Sequence, residues 1–262
     1  MRAELYRKGW LETRSRFVTA VVVTIAVCAF WTLGHGWVNQ QWHRDLIQHP
    51  EWDNPPWFMR AMKDYPFFIW HFVYAEMFQK IWVIFAVLLG IGGLSREAAY
   101  GTAGFTLALP VSRLALFRAR ASVAVAELLI LNLTAVLTIG LCSRVTGLSY
   151  PVLHGVSYNA LMFAGGIVFL SGSLCLTEFV EGEYTPALIG LGSVGLLYFV
   201  MQPYADGIPV TGLAIPFAIP RLMAGSGNVG NIGVQWLGMA ASLTAAAGFT
   251  VLARYRILTR DF

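Results

Sequence analysis

A few ionisable residues lie inside long apolar stretches, where a charge has to be accounted for. Glu127 falls midway along the stretch 114–142, close to Asn132, Thr134 and Thr138. A carboxylate at bilayer depth costs roughly 2.5 kcal/mol or more unless it is paired or wet. Glu127 must therefore face the interior of a helix bundle, where it either lines a path for a substrate or hydrogen-bonds a neighbouring helix. Glu76 and Lys80 stand four apart in another apolar stretch, the spacing of an ion pair on one helix face. Counted back from Leu94, Lys80 lies about 21 Å and Glu76 about 27 Å from the end of that stretch. Both are then expected to snorkel to the outer surface. Glu127, Asn132, Glu76 and Lys80 are the candidates for a substrate path, and His71 reads as interfacial.

Patterns for covalent or metal chemistry are weaker. No Ser/His, Asp/Asp or metal constellation lines up at one depth, so no catalytic residue is assigned. An intramembrane enzyme using Glu127 or His71 as acid or base is kept as an alternative. His43, Asp45, His49, Glu51 and Asp53 share one polar segment but fit no standard ligand spacing, and no metal is assigned. Cys28, Cys142 and Cys175 sit within apolar runs without a CxxC, as small buried hydrophobes do. Gly190, Gly192 and Gly195 satisfy the dinucleotide string, but no strand precedes them. Close helix packing is the better account. A G-x-x-x-x-G-K-[ST] loop is absent, and so is any Gly-Lys pair. The chain cannot cradle ATP by that loop.

The elements that hold these residues follow from composition. Of 262 residues, 57% are hydrophobic and only 12% charged, with mean hydropathy +0.62. Soluble domains carry about 25% charged residues, so a soluble fold could not cover so much apolar surface. Lipid can. The expected fold class is all-α: a polytopic membrane protein of about six transmembrane helices, forming a single transmembrane domain over 1–262. With roughly 20 apolar residues needed per crossing, spans are read at 17–38, 67–94, 114–142, 152–176, 185–202 and 233–253. The net charge of +4 does not point to nucleic acid, because the basic residues are scattered between apolar stretches. Twelve Lys and Arg fall in the leader, in the stretch from Arg96 to Arg120 and in the tail, against five on the opposite side. The positive-inside rule therefore puts both termini in the cytoplasm, in the cell (inner) membrane.

The leader is too highly charged for a cleavable signal peptide, and no A-x-A site follows its apolar run. Tyr6, Trp10 and Phe17 recur at helical spacing beside Arg7, Lys8, Arg14 and Arg16, so 1–16 reads as an interfacial helix lying in the membrane plane. The extracytoplasmic segment 39–66, with Trp42, Trp52 and Trp57, reads as a cap near the headgroups. The other, 203–232, is apolar but broken by Pro203, Pro209, Pro216 and Pro220. It cannot cross as a regular helix. It can dip into the outer leaflet if protein or water satisfies its backbone.

The segment 95–113 is unlike an ordinary turn. Arg96-Glu97 opens it, Gly101-Thr102 breaks the helix, an apolar piece runs to Leu109, and Pro110-Val111-Ser112-Arg113 closes it. Ser112 can cap the next span. The result is an apolar ridge with charges at both ends, suited to a groove on a soluble partner. The order of an acidic residue, Gly-Thr, an apolar stretch and Pro-x-Ser-Arg resembles the ABC-2 family of ATP-binding-cassette transporter permeases. Trp10-Leu11-Glu12-Thr13-Arg14 is similar to that family's amphipathic leading helix, and the tail with Arg260-Asp261 to its usual ending. The resemblance implies a permease subunit, an exporter, that pairs with a second copy or a related permease. Each copy docks on a separate ATPase subunit, which holds ATP and magnesium. It further implies that 95–113 is the cytoplasmic coupling element, with Arg96, Glu97, Gly101, Thr102, Pro110, Ser112 and Arg113 at the ATPase-docking site. The turn at 177–185, with Glu178, Glu181 and Glu183, offers a second contact or a solvated acidic loop. A membrane anchor or sensor that recruits a soluble partner through 95–113 is a further alternative.

Overall fold

The computed structural model describes residues 2–48, 63–93, 97, 100–108, 110–180, 182, 184–205, 219–224 and 236–259. All regular structure among them is helical. The helices are α1 (Arg2–Leu33), α2 (His35–Gln48), α3 (Tyr65–Gly90), α4 (Ala103–Leu107), α5 (Arg113–Val145), α6 (Val152–Phe179), α7 (Thr185–Ala205), α8 (Ile219–Ala224) and α9 (Trp236–Thr259). Five of them, α1, α3, α5, α6 and α9, are long and apolar enough to cross a membrane. The sixth expected span is α7, whose apolar run among described side chains is the shorter Thr185–Tyr198.

Packing fixes the direction of each helix. Gly9 of α1 lies against Arg120 and Val123 of α5, and Thr13 meets Glu127 one turn further along both, so α1 and α5 are parallel. On α6, Ser173 faces Gly90, Gly166 faces Trp82 and Tyr158 meets Tyr74, which makes α6 parallel to α3. Helix α9 follows α6, with Ser242 bonded to Gly165 and Arg256 over the Phe179 ring. Helix α7 opposes α3, with Gly190 at Val87 and Tyr198 beside Gln79. Thus α1, α5 and α7 run one way and α3, α6 and α9 the other. The starts of α1 and α5 and the end of α9 share the end of the bundle marked by Gly90.

Small residues set these distances. A Cβ on Gly166 would lie 2.5 Å from Trp82 Cζ3 and 2.7 Å from Met223 Cε. Met223 belongs to α8, so this piece of 203–232 sits inside the bundle, midway along α6. Its Ala224 carbonyl accepts from Trp70 Nε1 at 2.8 Å, which answers the demand that irregular backbone at membrane depth find a protein partner. Of the 39–66 segment, residues 49–62 lie outside the described residues; 39–48 complete α2 and Asp64 caps α3.

Two expectations need correction. The leader is not a separate helix in the membrane plane: Arg2–Leu33 is one unbroken helix. No proline interrupts it, and Gly9, Thr13, Phe17 and Ala20 form a buried stripe against the bundle, while Tyr6 is exposed. The depth of Lys80 also changes. Helix α3 stops at Gly90, and Ile91 is extended, so on the helical rise Lys80 stands about 15 Å and Glu76 about 21 Å from the helix end. Leu94 lies four residues beyond that helix end.

The candidate coupling site at the Gly90 end

Two arginines close the C-terminus of α3. The last carbonyls of a helix have no intrahelical donor, and cations are favoured there. Arg16 Nη1 of α1 donates to Leu88 O at 2.7 Å and Ile91 O at 2.6 Å. Arg120 Nη2 of α5 donates to Gly90 O at 2.7 Å. The turn that follows is Gly92-Gly93, with φ of +137° and +79°. A Cβ on Gly93 would lie 2.2 Å from Arg120 Nη1. Positive φ and the close guanidinium both demand glycine there. Glu12 of α1 stands 3.9 Å from Arg120 Nε.

The segment leaving this turn is tied back to α1. Lys8 Nζ pairs with Glu97 Oε1 at 2.6 Å and donates to Thr106 Oγ1 at 2.7 Å. Thr102 N and Oγ1 both bond to Glu97 O, and Gly101 turns the chain at φ +70°. Ser112 caps α5 as expected, its Oγ accepting from Ala115 N. The short helix α4 turns Thr106 inward and leaves Phe105 80% exposed, and Tyr100 of the same segment is 55% exposed. Arg96 lies outside the described residues, Pro110 is exposed and Arg113 half-buried.

The docking candidates therefore divide. Glu97 is committed to Lys8 inside the protein, so the surface offered outward is aromatic rather than acidic. Phe105 and Tyr100 were not among the expected docking residues, nor were Lys8, Glu12 and Arg120 among the expected functional ones. An arginine placed within an apolar helix, as Arg16 and Arg120 are, is the signal that could have found the clamp, since such a charge needs a partner. Glu178 lies at the end of α6, 1% exposed and turned into the protein, while Glu181 and Glu183 lie outside the described residues.

The substrate-path candidates are not brought together. Glu127 is 2% exposed and joined to Thr13 Oγ1 at 2.5 Å across the α1–α5 contact. Asn132 faces the other way, its Nδ2 donating to Asn159 O of α6. Glu76 and Lys80 do form the expected pair, at 2.7 Å on the outer side of α3. His71 stacks on Phe67. Of the suggested metal cluster, His43 and Asp45 lie on α2, and His49, Glu51 and Asp53 outside the described residues. No known protein family, curated protein or solved structure matches the chain.

Proposed function

We propose that the chain is the membrane permease subunit of an ATP-driven transporter of the ABC-2 type, an exporter, with both termini in the cytoplasm. The observation that carries this reading is the tethered, outward-facing aromatic ridge at the Gly90 end. Phe105 and Tyr100 present apolar surface at the end of the bundle where the start of α1 and the end of α9 lie, and exposed aromatics of this kind suit a groove on a protein partner. Behind the ridge, Lys8 links the segment to α1, while Arg16 and Arg120 link α1 and α5 to the end of α3. A push on α4 would reach three spanning helices through charged hydrogen bonds rather than through loose loop.

The partner is an ATPase subunit bearing ATP and magnesium, and a second permease copy or a relative completes the assembly. Glu127, the residue an intramembrane enzyme would use, is pinned by Thr13 between two helices, which suits a structural role better. The test is purification of the full chain with its associated proteins. An ATPase whose hydrolysis depends on the chain is expected to copurify, and Phe105→Asp is expected to reduce that association about tenfold or more, as loss of a buried interface aromatic does. Absence of an ATPase, or indifference to Phe105→Asp, refutes the reading. An ATPase-free complex with some other soluble protein would favour the anchor or sensor alternative.

A further inference from the structure

The ion pair on α3 lies in the wrong place for lipid. Between Tyr65 and Gly90 only Lys80 and Ile84 are exposed, and Glu76 lies one turn before Lys80 on the same stripe. The Lys80 and Glu76 side chains are 50% and 40% exposed, and Ile84 is 40% exposed. Helices α1 and α7 both pack on α3, and among the described residues they make no substantial contact with one another. On one side α7 brings Gly190 to Val87 and Tyr198 to Gln79, and on the other α1 brings Arg16 to Leu88 and Ile91. The stripe is thus the floor of a groove open to the side of the bundle.

Lys80 and Glu76 stand about 15 Å and about 21 Å from the Gly90 end of the candidate span Tyr65–Gly90, so both charges lie within it. The 2.7 Å bond uses one of three ammonium donors and part of the carboxylate's accepting capacity. The unused remainder faces outward, where hydrocarbon offers nothing and exposed charge is costly. The wide π-helical turn Ile69–Phe78, whose i→i+5 bonding ends with Gln79 N on Tyr74 O, brings His71 within electrostatic reach of Glu76. Such turns concentrate at functional sites.

We propose that this groove binds the headgroup of a zwitterionic amphiphile, an ammonium joined to a phosphate, whose apolar tail stays in the bilayer. The two site charges have opposite sign and lie side by side. A ligand of one sign gains at one and is repelled by the other, whereas a zwitterion gains at both, its phosphate on Lys80 and its ammonium on Glu76. Ile84, one turn along the stripe, continues it as apolar surface for the tail. That the amphiphile is the exported cargo rests on the transport reading; its binding does not.

The experiment uses the full chain in nanodiscs with photoreactive phosphatidylethanolamine, phosphatidylglycerol or diacylglycerol, and maps labelled peptides. Phosphatidylethanolamine is expected to label the peptide holding Ile84 about tenfold or more above the other two, the scale of one charge-assisted hydrogen bond. Lys80→Gln and Glu76→Gln should each remove that excess. The exchanged pair, Glu76→Lys with Lys80→Glu, should keep it, which guards against simple misfolding. Labelling that ignores the headgroup, or survives both glutamine variants, overturns the proposal. So does efficient Ile84→Cys cross-linking between two chains, since a second copy would then cover the stripe. Equal competition by free phosphoethanolamine overturns the need for a tail. Copurification of the ATPase, measured on the same variants, separates failure of this site from failure of the transport reading.

Discussion

Gly93→Ala is the sharpest test of the clamp at the end of α3. The new Cβ would sit 2.2 Å from Arg120 Nη1, and the guanidinium must retreat by more than an ångström, beyond the 2.7 Å bond that it makes to Gly90 O. Losing a hydrogen bond from a charged donor costs about 1.5–3 kcal/mol. A non-glycine residue at φ +79° adds about 1–2 kcal/mol. Gly101→Ala is the matched control: φ is +70°, but nothing lies within 4 Å of its added Cβ, so only the backbone cost of about 1–2 kcal/mol applies. Equilibrium unfolding in mixed micelles, followed by tryptophan fluorescence, should show Gly93→Ala to be the costlier change by about 1.5–3 kcal/mol. In an Arg120→Ala background the excess should vanish, because the clashing group is gone; neighbours of this kind are expected to be non-additive. If the two alanines cost the same, or if the excess persists without Arg120, the clamp does not hold the turn.

Other outcomes follow from the same contacts. Thr13→Val leaves the buried Glu127 carboxyl without its 2.5 Å partner and should lower stability by about 1–3 kcal/mol; Glu127→Gln, which keeps an oxygen for Thr13, should cost less in the same titration. Gly166→Leu would drive side-chain atoms into Trp82 and Met223. It should destabilise by about 1–3 kcal/mol or more and loosen α8, read as faster proteolysis near Met223. Phe105→Asp, at a side chain 80% exposed, should leave the unfolding midpoint unchanged while it weakens ATPase association.

Several features were legible because their causes are local. Ser112 before an apolar run caps α5, since an N-cap needs only a side-chain oxygen and the next turn of backbone. Glu76 and Lys80 pair because four residues make one helical turn. The end of α3 was not legible, because hydropathy does not see where helical backbone gives way to an extended turn at Ile91. The leader was misjudged too. Charges near a chain terminus resemble a solvated face, and no local pattern announces that Lys8 will meet Glu97 or that Gly9 and Thr13 will lie against α5.

Hydrophobicity alone therefore determined that this chain is helical and able to cross a membrane several times, since only helices satisfy their own backbone in lipid and their length is set by its thickness. Tertiary structure decided which charges are spent internally and which remain on offer. Glu97 and Glu178 are turned inward, Phe105 outward, and the Glu76–Lys80 stripe is left open along α3. The reason is physical: an ion pair or a carbonyl clamp is made by groups some 90 residues apart in sequence for Lys8 and Glu97 and some 30 for Arg120 and Gly90. Only the packing of α1 and α5 around α3 brings them within bonding distance.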